Sequence, residues 1–356
     1  MSVARTVGRW LDDRLRVGAA RDFLAHKLVP VEHSIWYYFG GASLFLFGVQ
    51  VATGVLLLLY YRPAPDSAFE SVRFIMAHVR FGWLVRSLHA WAANLMIAAV
   101  FTHLFSVFFL KAYRPPREVT WLTGCGLLGL TLAFGFSGYL LPWNQLAFFA
   151  TKVGTDIMGE VPGVGPVLRF VLRGGENVGG ATLTRFFGFH VALLPLATTL
   201  LLLVHLALVQ LHGMSERLGD SARTARHMPF YPHFVLREVL VWLAVLAVLI
   251  VLATFFPWEL GQKADPFASA PSGIRPEWYF TFMSQSFKYV PPRLFGLEGE
   301  QVAILGFGAV FGLLVLVPFL DRRAARGEPS PLVTAGGVLL LGFMVVMTLL
   351  AYFKPY

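Results

Sequence analysis

Apolar residues in this chain gather into seven long stretches separated by polar connections, with no short-period alternation. The stretches cover 35–60, 88–110, 119–140, 186–211, 239–256, 302–320 and 332–353. Each approaches the roughly 20 residues that a helix needs to cross the hydrocarbon core of a bilayer. None contains Asp, Glu, Lys or Arg, residues that cost about 2.5–3.5 kcal/mol each at the centre of an inserted helix. Apart from Tyr and Cys125, histidine is the only ionisable type inside them. The pattern predicts an all-α integral membrane protein with seven transmembrane helices.

The polar stretch 212–233 separates four of these helices from three. It divides the chain into an N-terminal arm (1–34), a four-helix part (35–211), a connecting loop (212–233) and a three-helix part (234–356). Three connections on one side of the membrane are long: 61–87, 142–185 and 257–301. Loops of that length in a compact protein carry function or their own structure. Residues 66–81 set Phe69, Val72, Phe74, Ile75, Met76 and Val79 among charges, which predicts a short helix lying at the interface. Residues 145–158 read the same way. Such helices would roof a cavity in the outer leaflet, while on the other side the connections from the second helix to the third and from the sixth to the seventh read as simple turns.

Composition agrees with the pattern. The 356 residues are 56% hydrophobic and 14% charged, against about 25% charged in soluble domains. The net charge of +9 is dispersed over loops without a basic stripe interleaved with aromatics, so it points to anionic lipid and not to nucleic acid. The arm carries Arg5, Arg9, Arg14, Arg16, Arg21 and Lys27 and has no apolar core or cleavage pattern of a signal peptide. With the N-terminus in the cytoplasm, the inner segments hold 16 Lys and Arg against 13 on the longer outer side. That density fits the positive-inside rule for a bacterial-type inner membrane. Cys125 is the only cysteine, which excludes internal disulfides, thiolate zinc sites and iron–sulfur ligation. Its ordinary role is that of a small core residue.

The histidines carry the candidate chemistry. His89 and His103 lie 14 residues apart on the second helix, His190 and His205 15 apart on the fourth. On a regular helix 14 residues give roughly −40° and 21 Å, and 15 give roughly +60° and 22 Å. Both pairs keep near one helix face. The two helices run in the same direction, so His89 can meet His190 near the outer surface and His103 can meet His205 near the inner one. Two bis-histidine sites result. Such sites suit haem iron, whose axial ligands face each other across a flat macrocycle. A lone intramembrane histidine is as readily a satisfied polar residue, and zinc stays open as a second ligand chemistry, though two histidines leave it underligated. Gly40 and Gly54 on the first helix, and Gly124 and Gly138 on the third, repeat the 14-residue spacing. Glycine allows the close backbone approach that a flat ring requires, whereas ordinary small-residue packing explains one such glycine but not the shared period.

Several stretches resemble cytochrome b of the Rieske–cytochrome b complexes: FGWLVRSLHAW (81–91), PREVTW (116–121), GYLLPW (138–143), LTRFF (183–187), ADPFA (264–268) and RPEWYF (275–280). Seven helices and the 15-residue separation resemble cytochrome b6 fused to the three-helix subunit IV, more than the eight-helix form with 14 on both helices. The resemblance implies a haem-binding four-helix bundle holding two b haems, one on His89 and His190 and one on His103 and His205. Partners would be a Rieske iron–sulfur protein and a c-type cytochrome, in a homodimeric complex. The activity would be quinol:cytochrome c (or similar acceptor) oxidation in electron transport, contributing to a proton gradient. The family's PEWY motif matches Pro276, Glu277, Trp278 and Tyr279; Glu277 would accept a proton from quinol, with Pro276, Tyr279 and Tyr139 shaping the pocket. Arg86 and Arg117 would pair with haem propionates, or serve as interfacial anchors. Tyr38 falls where cytochrome b6 has the cysteine that binds an extra haem, and tyrosine forms no thioether. No covalent third haem is therefore expected. Gln210 falls where that family has Arg, leaving the inner quinone site undefined. The competing functions are a dihaem anchor subunit of a dehydrogenase or hydrogenase, which needs no PEWY, and a transporter with proton-relay histidines, which needs broken helices at mid-membrane.

Overall fold

The structure, a computed structural model, describes residues 7, 10, 12–14, 26–30, 35–216, 218, 227–271, 274–294 and 296–353. Arg5, Arg9, Arg16 and Arg21 of the arm lie outside the described residues. A 3-10 turn, Ile35–Tyr38, leads into α1 (Phe39–Leu58). Then follow α2 (Ala68–His78), α3 (Gly82–Phe109), α4 (Glu118–Leu140), α5 (Gln145–Gly159), α6 (Gly165–Arg173) and α7 (Gly180–Gly188). A π turn, Phe189–Leu193, joins α7 to α8 (Leu194–His212). The remaining helices are α9 (Val235–Phe255), α10 (Trp278–Phe287), α11 (Gly299–Leu320), α12 (Arg322–Ala325) and α13 (Pro331–Phe353). A second π turn, Phe230–Phe234, leads into α9, and there are two short ribbons: β1 (Leu28–Pro30) with β2 (His227–Pro229), and β3 (Arg293–Leu294) with β4 (Leu297–Glu298).

Seven helical spans are long and apolar enough to cross a bilayer: 35–58, 82–109, 118–140, 180–212, 230–255, 299–325 and 331–353. They coincide with the seven apolar stretches, and several reach further. α3 begins at Gly82, six residues before the apolar stretch starts at Leu88. The cause is Arg86, a charge that the apolar pattern counts as a boundary but that the fold satisfies. Its guanidinium donates from Nη1 to Trp258 O and from Nη2 to Glu259 O at 3.0 Å.

In the bundle α1 packs along α3 and α8 along α4, with α3 also against α4; α9 leans on α1 and α3, and α11 on α4. Outward faces stay apolar, as Leu203 (60% exposed) on α8 and Leu339 (74%) on α13 illustrate. Uncovered surface of this kind is what lipid would solvate.

Both predicted surface helices form, as α2 and α5. Phe69 of α2, Phe148 and Phe149 of α5, and Leu183 and Phe186 of α7 share one core with Leu140 and Trp143 at the end of α4. This is the roof that the spacing of apolar residues predicts. Asn144 caps α5 by accepting from Ala147 N at 2.8 Å, a bond that satisfies one orphan donor of the helix start. On the opposite side the connection between α11 and α13 is more than a turn. Asp321 there accepts from Tyr113 Oη (2.7 Å) and Ser330 Oγ (2.6 Å), tying it to the segment after α3.

Candidate functional site

The π turn decides how the histidine pairs meet. Pro195 has no N–H to donate to the carbonyl of Val191, and Leu194 N instead bonds Phe189 O, five residues back. One extra residue is thereby taken up in the turn that carries His190. The 15 residues from His190 to His205 then sweep the angle that 14 sweep on α3, so the roughly +60° of a regular helix falls back toward −40°. The glycines on α4 provide the ruler, because Gly138 and Gly124 are 14 apart on an unbroken helix and meet His190 and His205 respectively.

In the outer pair the His89 and His190 ring centroids are 6.3 Å apart with planes at 71°. A metal bonded to one nitrogen of each ring at about 2 Å would set the centroids about 6 Å apart. The inner pair is set in the same way, with His103 against Gly40 of α1 and His205 against Gly124 of α4. Each of the four predicted glycines backs one imidazole. A Cβ would lie 2.6 Å from His190 Cε1 at Gly138, 3.0 Å from His103 Cε1 at Gly40, 3.3 Å from His89 Cε1 at Gly54 and 3.4 Å from His205 Cε1 at Gly124. These distances fit two flat groups held between facing imidazoles, with the helix backbones pulled close behind the rings. Among the described residues no group of three or more His, Cys, Asp or Glu could hold a bare metal ion, which disfavours zinc. Cys125 is buried in the core on α4.

The outer pair opens into a cavity of about 340 Å3 that Gly54, Gly138, Tyr139, Glu277 and Tyr279 also line. The PEWY segment is locked at its edge. Trp278 Nε1 donates to Asn94 Oδ1 on α3 (2.8 Å), and Thr281 Oγ1 donates to Pro276 O (3.1 Å) and Glu277 O (3.2 Å). Tyr279 is 5% exposed, and its hydroxyl lies against α4, where a Cβ at Gly135 would come within 2.6 Å. Burial pushes the Glu277 carboxyl above the usual carboxylate range. Burial also raises the Tyr279 phenol, and the nearby Glu277 carboxylate and Tyr139 add to the shift. Arg86 lines the same cavity while it ties the segment after α9 to α3.

On the inner side Arg117 closes the end of α8, donating to Gly213 O (3.2 Å), His212 O (3.1 Å) and Met214 O (3.3 Å). Lys27 donates to Gln210 Oε1 and to its carbonyl. Tyr38 stacks on Phe234 at 5.6 Å and 17°, packed with Val29 and Met228 of the β1–β2 ribbon.

Four residues of the site escape a reading by motif. Gln50 Nε2 donates to His89 O at 2.7 Å, Asn94 holds the PEWY tryptophan, and Gly135 makes room for Tyr279. Glu238 on α9 packs against Gly41, with Oε2 buried and without a hydrogen-bond partner among the described residues. Polarity within an apolar span is the signal that marks Gln50 and Asn94. Glu238 carries no such signal, since it falls just outside the apolar stretch.

Comparison with known proteins agrees with this geometry. Residues 24–213 match the family model described as cytochrome b/b6/petB, and 263–354 match the one described as cytochrome b(C-terminal)/b6/petD. The cytochrome bc complex cytochrome b subunit of Chlorobaculum thiosulfatiphilum is 48% identical over 97% of this chain and 81% of its own length. Cytochrome b6 of Chlamydomonas reinhardtii is 42% identical over 58% of this chain and 96% of its own. A chain of a solved hyperthermophilic respiratory Complex III superposes with a TM-score of 0.79 at 29% identity, covering 96% of this chain and 97% of that one. Seven membrane helices, the facing pair His89 and His190 and these likenesses place the chain in the cytochrome b/b6 family, as a multi-pass membrane protein with the b6-like and subunit IV-like parts in one polypeptide.

Proposed function

We propose that this chain is the quinol-oxidising, dihaem subunit of a bc-type complex, with His89 and His190 holding the outer b haem and His103 and His205 the inner one. The observation that carries the reading is the shared cavity: the outer histidine pair and the PEWY residues Glu277 and Tyr279 line one space at one edge of the bundle. Bound at the two pairs, the haems would supply one-electron carriers stacked across the membrane, between an outer and an inner quinone site.

Quinol oxidation releases two electrons and two protons. Burial raises the Glu277 carboxyl above its ordinary value, which makes its ionised form a stronger base, so it can take a quinol proton and pass it to the outer surface. Tyr279 and Tyr139 hold the ring in the pocket, and Pro276 fixes the entry of the segment. Arg86 and Arg117 keep N–H groups beyond those given to backbone carbonyls, available to haem propionates. On the inner side Glu238, whose Oε2 is buried beside Gly41 with no hydrogen-bond partner among the described residues, is suited to deliver a proton to quinone. Proton release outside and uptake inside would build a gradient. Of the two electrons, one would go to a Rieske protein and on to a c-type cytochrome, and the other to the haem held by His89 and His190, in a homodimer in a bacterial inner membrane with the N-terminus inside. Tyr38 supplies no thiol, so no third haem would be covalently attached.

An optical spectrum of the purified protein tests the reading: two b-type haems per chain with bis-histidine absorption are expected. A haem-free protein, or one haem per chain, would overturn it.

A further inference from the structure

Three of the four histidines that this reading makes haem ligands meet a hydroxyl whose own proton is already committed. Thr53 Oγ1 donates to Val49 O at 2.7 Å and lies 2.9 Å from His89 Nδ1. Thr123 Oγ1 donates to Thr120 O at 2.8 Å and lies 2.9 Å from His205 Nδ1. Ser137 Oγ donates to Phe134 O at 3.3 Å and lies 3.1 Å from His190 Nδ1. A hydroxyl has one hydrogen. With that hydrogen directed to the backbone carbonyl three or four residues back, the oxygen is placed to accept from the imidazole Nδ1–H. Nε2 is then the bare nitrogen on each of these rings.

His103 differs. Its Nδ1 is buried and has no hydrogen-bond partner among the described residues. The outer pair is therefore braced on both rings, the inner pair on His205 alone.

We propose that Thr53, Ser137 and Thr123 are positioning residues that fix the Nδ1–H tautomer of the haem ligands, bracing both axial ligands of the outer site and only one of the inner. The inference rests on the haem-ligand reading above. A hydrogen bond accepted from Nδ1–H makes the imidazole a stronger donor to the metal and fixes its plane. That favours the oxidised iron, so its loss raises the midpoint potential of the haem concerned.

The test uses the full chain in its native complex, with Thr53→Val, Ser137→Ala and Thr123→Val followed by optical redox titration and haem content. Thr53→Ser and Thr123→Ser keep the hydroxyl. The expected result is that Thr53→Val and Ser137→Ala raise the midpoint of one and the same b transition, and Thr123→Val that of the other, while the serine variants stay at the wild-type values. Haem loss in a valine variant that the serine variant restores also supports the assignment. Unchanged midpoints in all three, or equal shifts in the valine and serine variants, would overturn it. Fewer than two haems in the wild-type protein would instead sink the underlying reading, so the two failures are distinct.

Discussion

At the scale of single residues, the site depends on how little room lies behind each imidazole. Gly138 leaves the least, with a Cβ position 2.6 Å from His190, and Gly124 more, at 3.4 Å from His205. Neither backbone nor ligand can yield without turning the ring, and overpacking of this kind costs about 1–3 kcal/mol. Gly138→Ala should therefore lower haem content from two to one per chain, with Gly124→Ala keeping both; equal content in the two variants would contradict the cradle. Glu277 belongs to the same scale. Its carboxyl is raised by burial above the ordinary 4.5, and only the ionised form accepts a proton. The rate of quinol oxidation should thus fall as pH drops through that raised value and level off above it. Glu277→Gln should lose this pH dependence and slow quinol-driven haem reduction by about a hundredfold, whereas an unchanged rate and pH profile in stopped-flow measurements would rule out the proton-acceptor role.

At the scale of elements, the 15-residue separation is legible in the sequence but its consequence is not. A straight helix predicts pairs that differ by roughly 100° in phase, and the structure removes that difference with a single π turn at Phe189–Leu193. Deleting Ala192 should convert the turn to regular helix and leave both haems bound, because the spacing becomes the 14 of α3. Inserting one alanine between Gly129 and Leu130 of α4 has no such outlet. It should rotate Gly138 away from His190 and lower haem content; retention of both haems there would show that the glycine register is unimportant. The start of α3 illustrates the opposite failure. An apolar window stops at Arg86, and only the carbonyls of Trp258 and Glu259, 172 and 173 residues away, show why the helix continues.

At the scale of the whole molecule, the four paired histidines and their glycines all precede residue 212, and the PEWY segment follows residue 274. The two parts meet where Trp278 reaches Asn94, where Arg86 reaches the segment after α9, and where β1 pairs with β2. These contacts are non-covalent and numerous enough to hold separate pieces together. Co-expressed fragments 1–220 and 221–356 should copurify with two haems per pair and oxidise quinol; a first fragment that purifies without haem would show that ligation requires the continuous chain. The cavity of about 340 Å3 arises only in this assembly, since its walls come from both parts.

By itself the sequence determined the membrane class, the number of spans, the four histidines and the four glycines, because charge exclusion and helical period act locally and leave a trace at every turn. The PEWY residues were visible as a motif, and Tyr38 and Gln210 as departures from one. Spacing and helix direction already paired His89 with His190 and His103 with His205, whereas tertiary structure alone decided that the extra residue on the fourth span is taken up by a π turn, and that Thr53, Ser137 and Thr123 stand behind three of the rings. It also brought Glu238, which no motif marks, to the backbone beside Gly41. The physical reason is that a hydrogen-bond partner or a close glycine is chosen by helix phase and packing across the bundle, and a one-dimensional pattern carries phase only for as long as the helix stays regular.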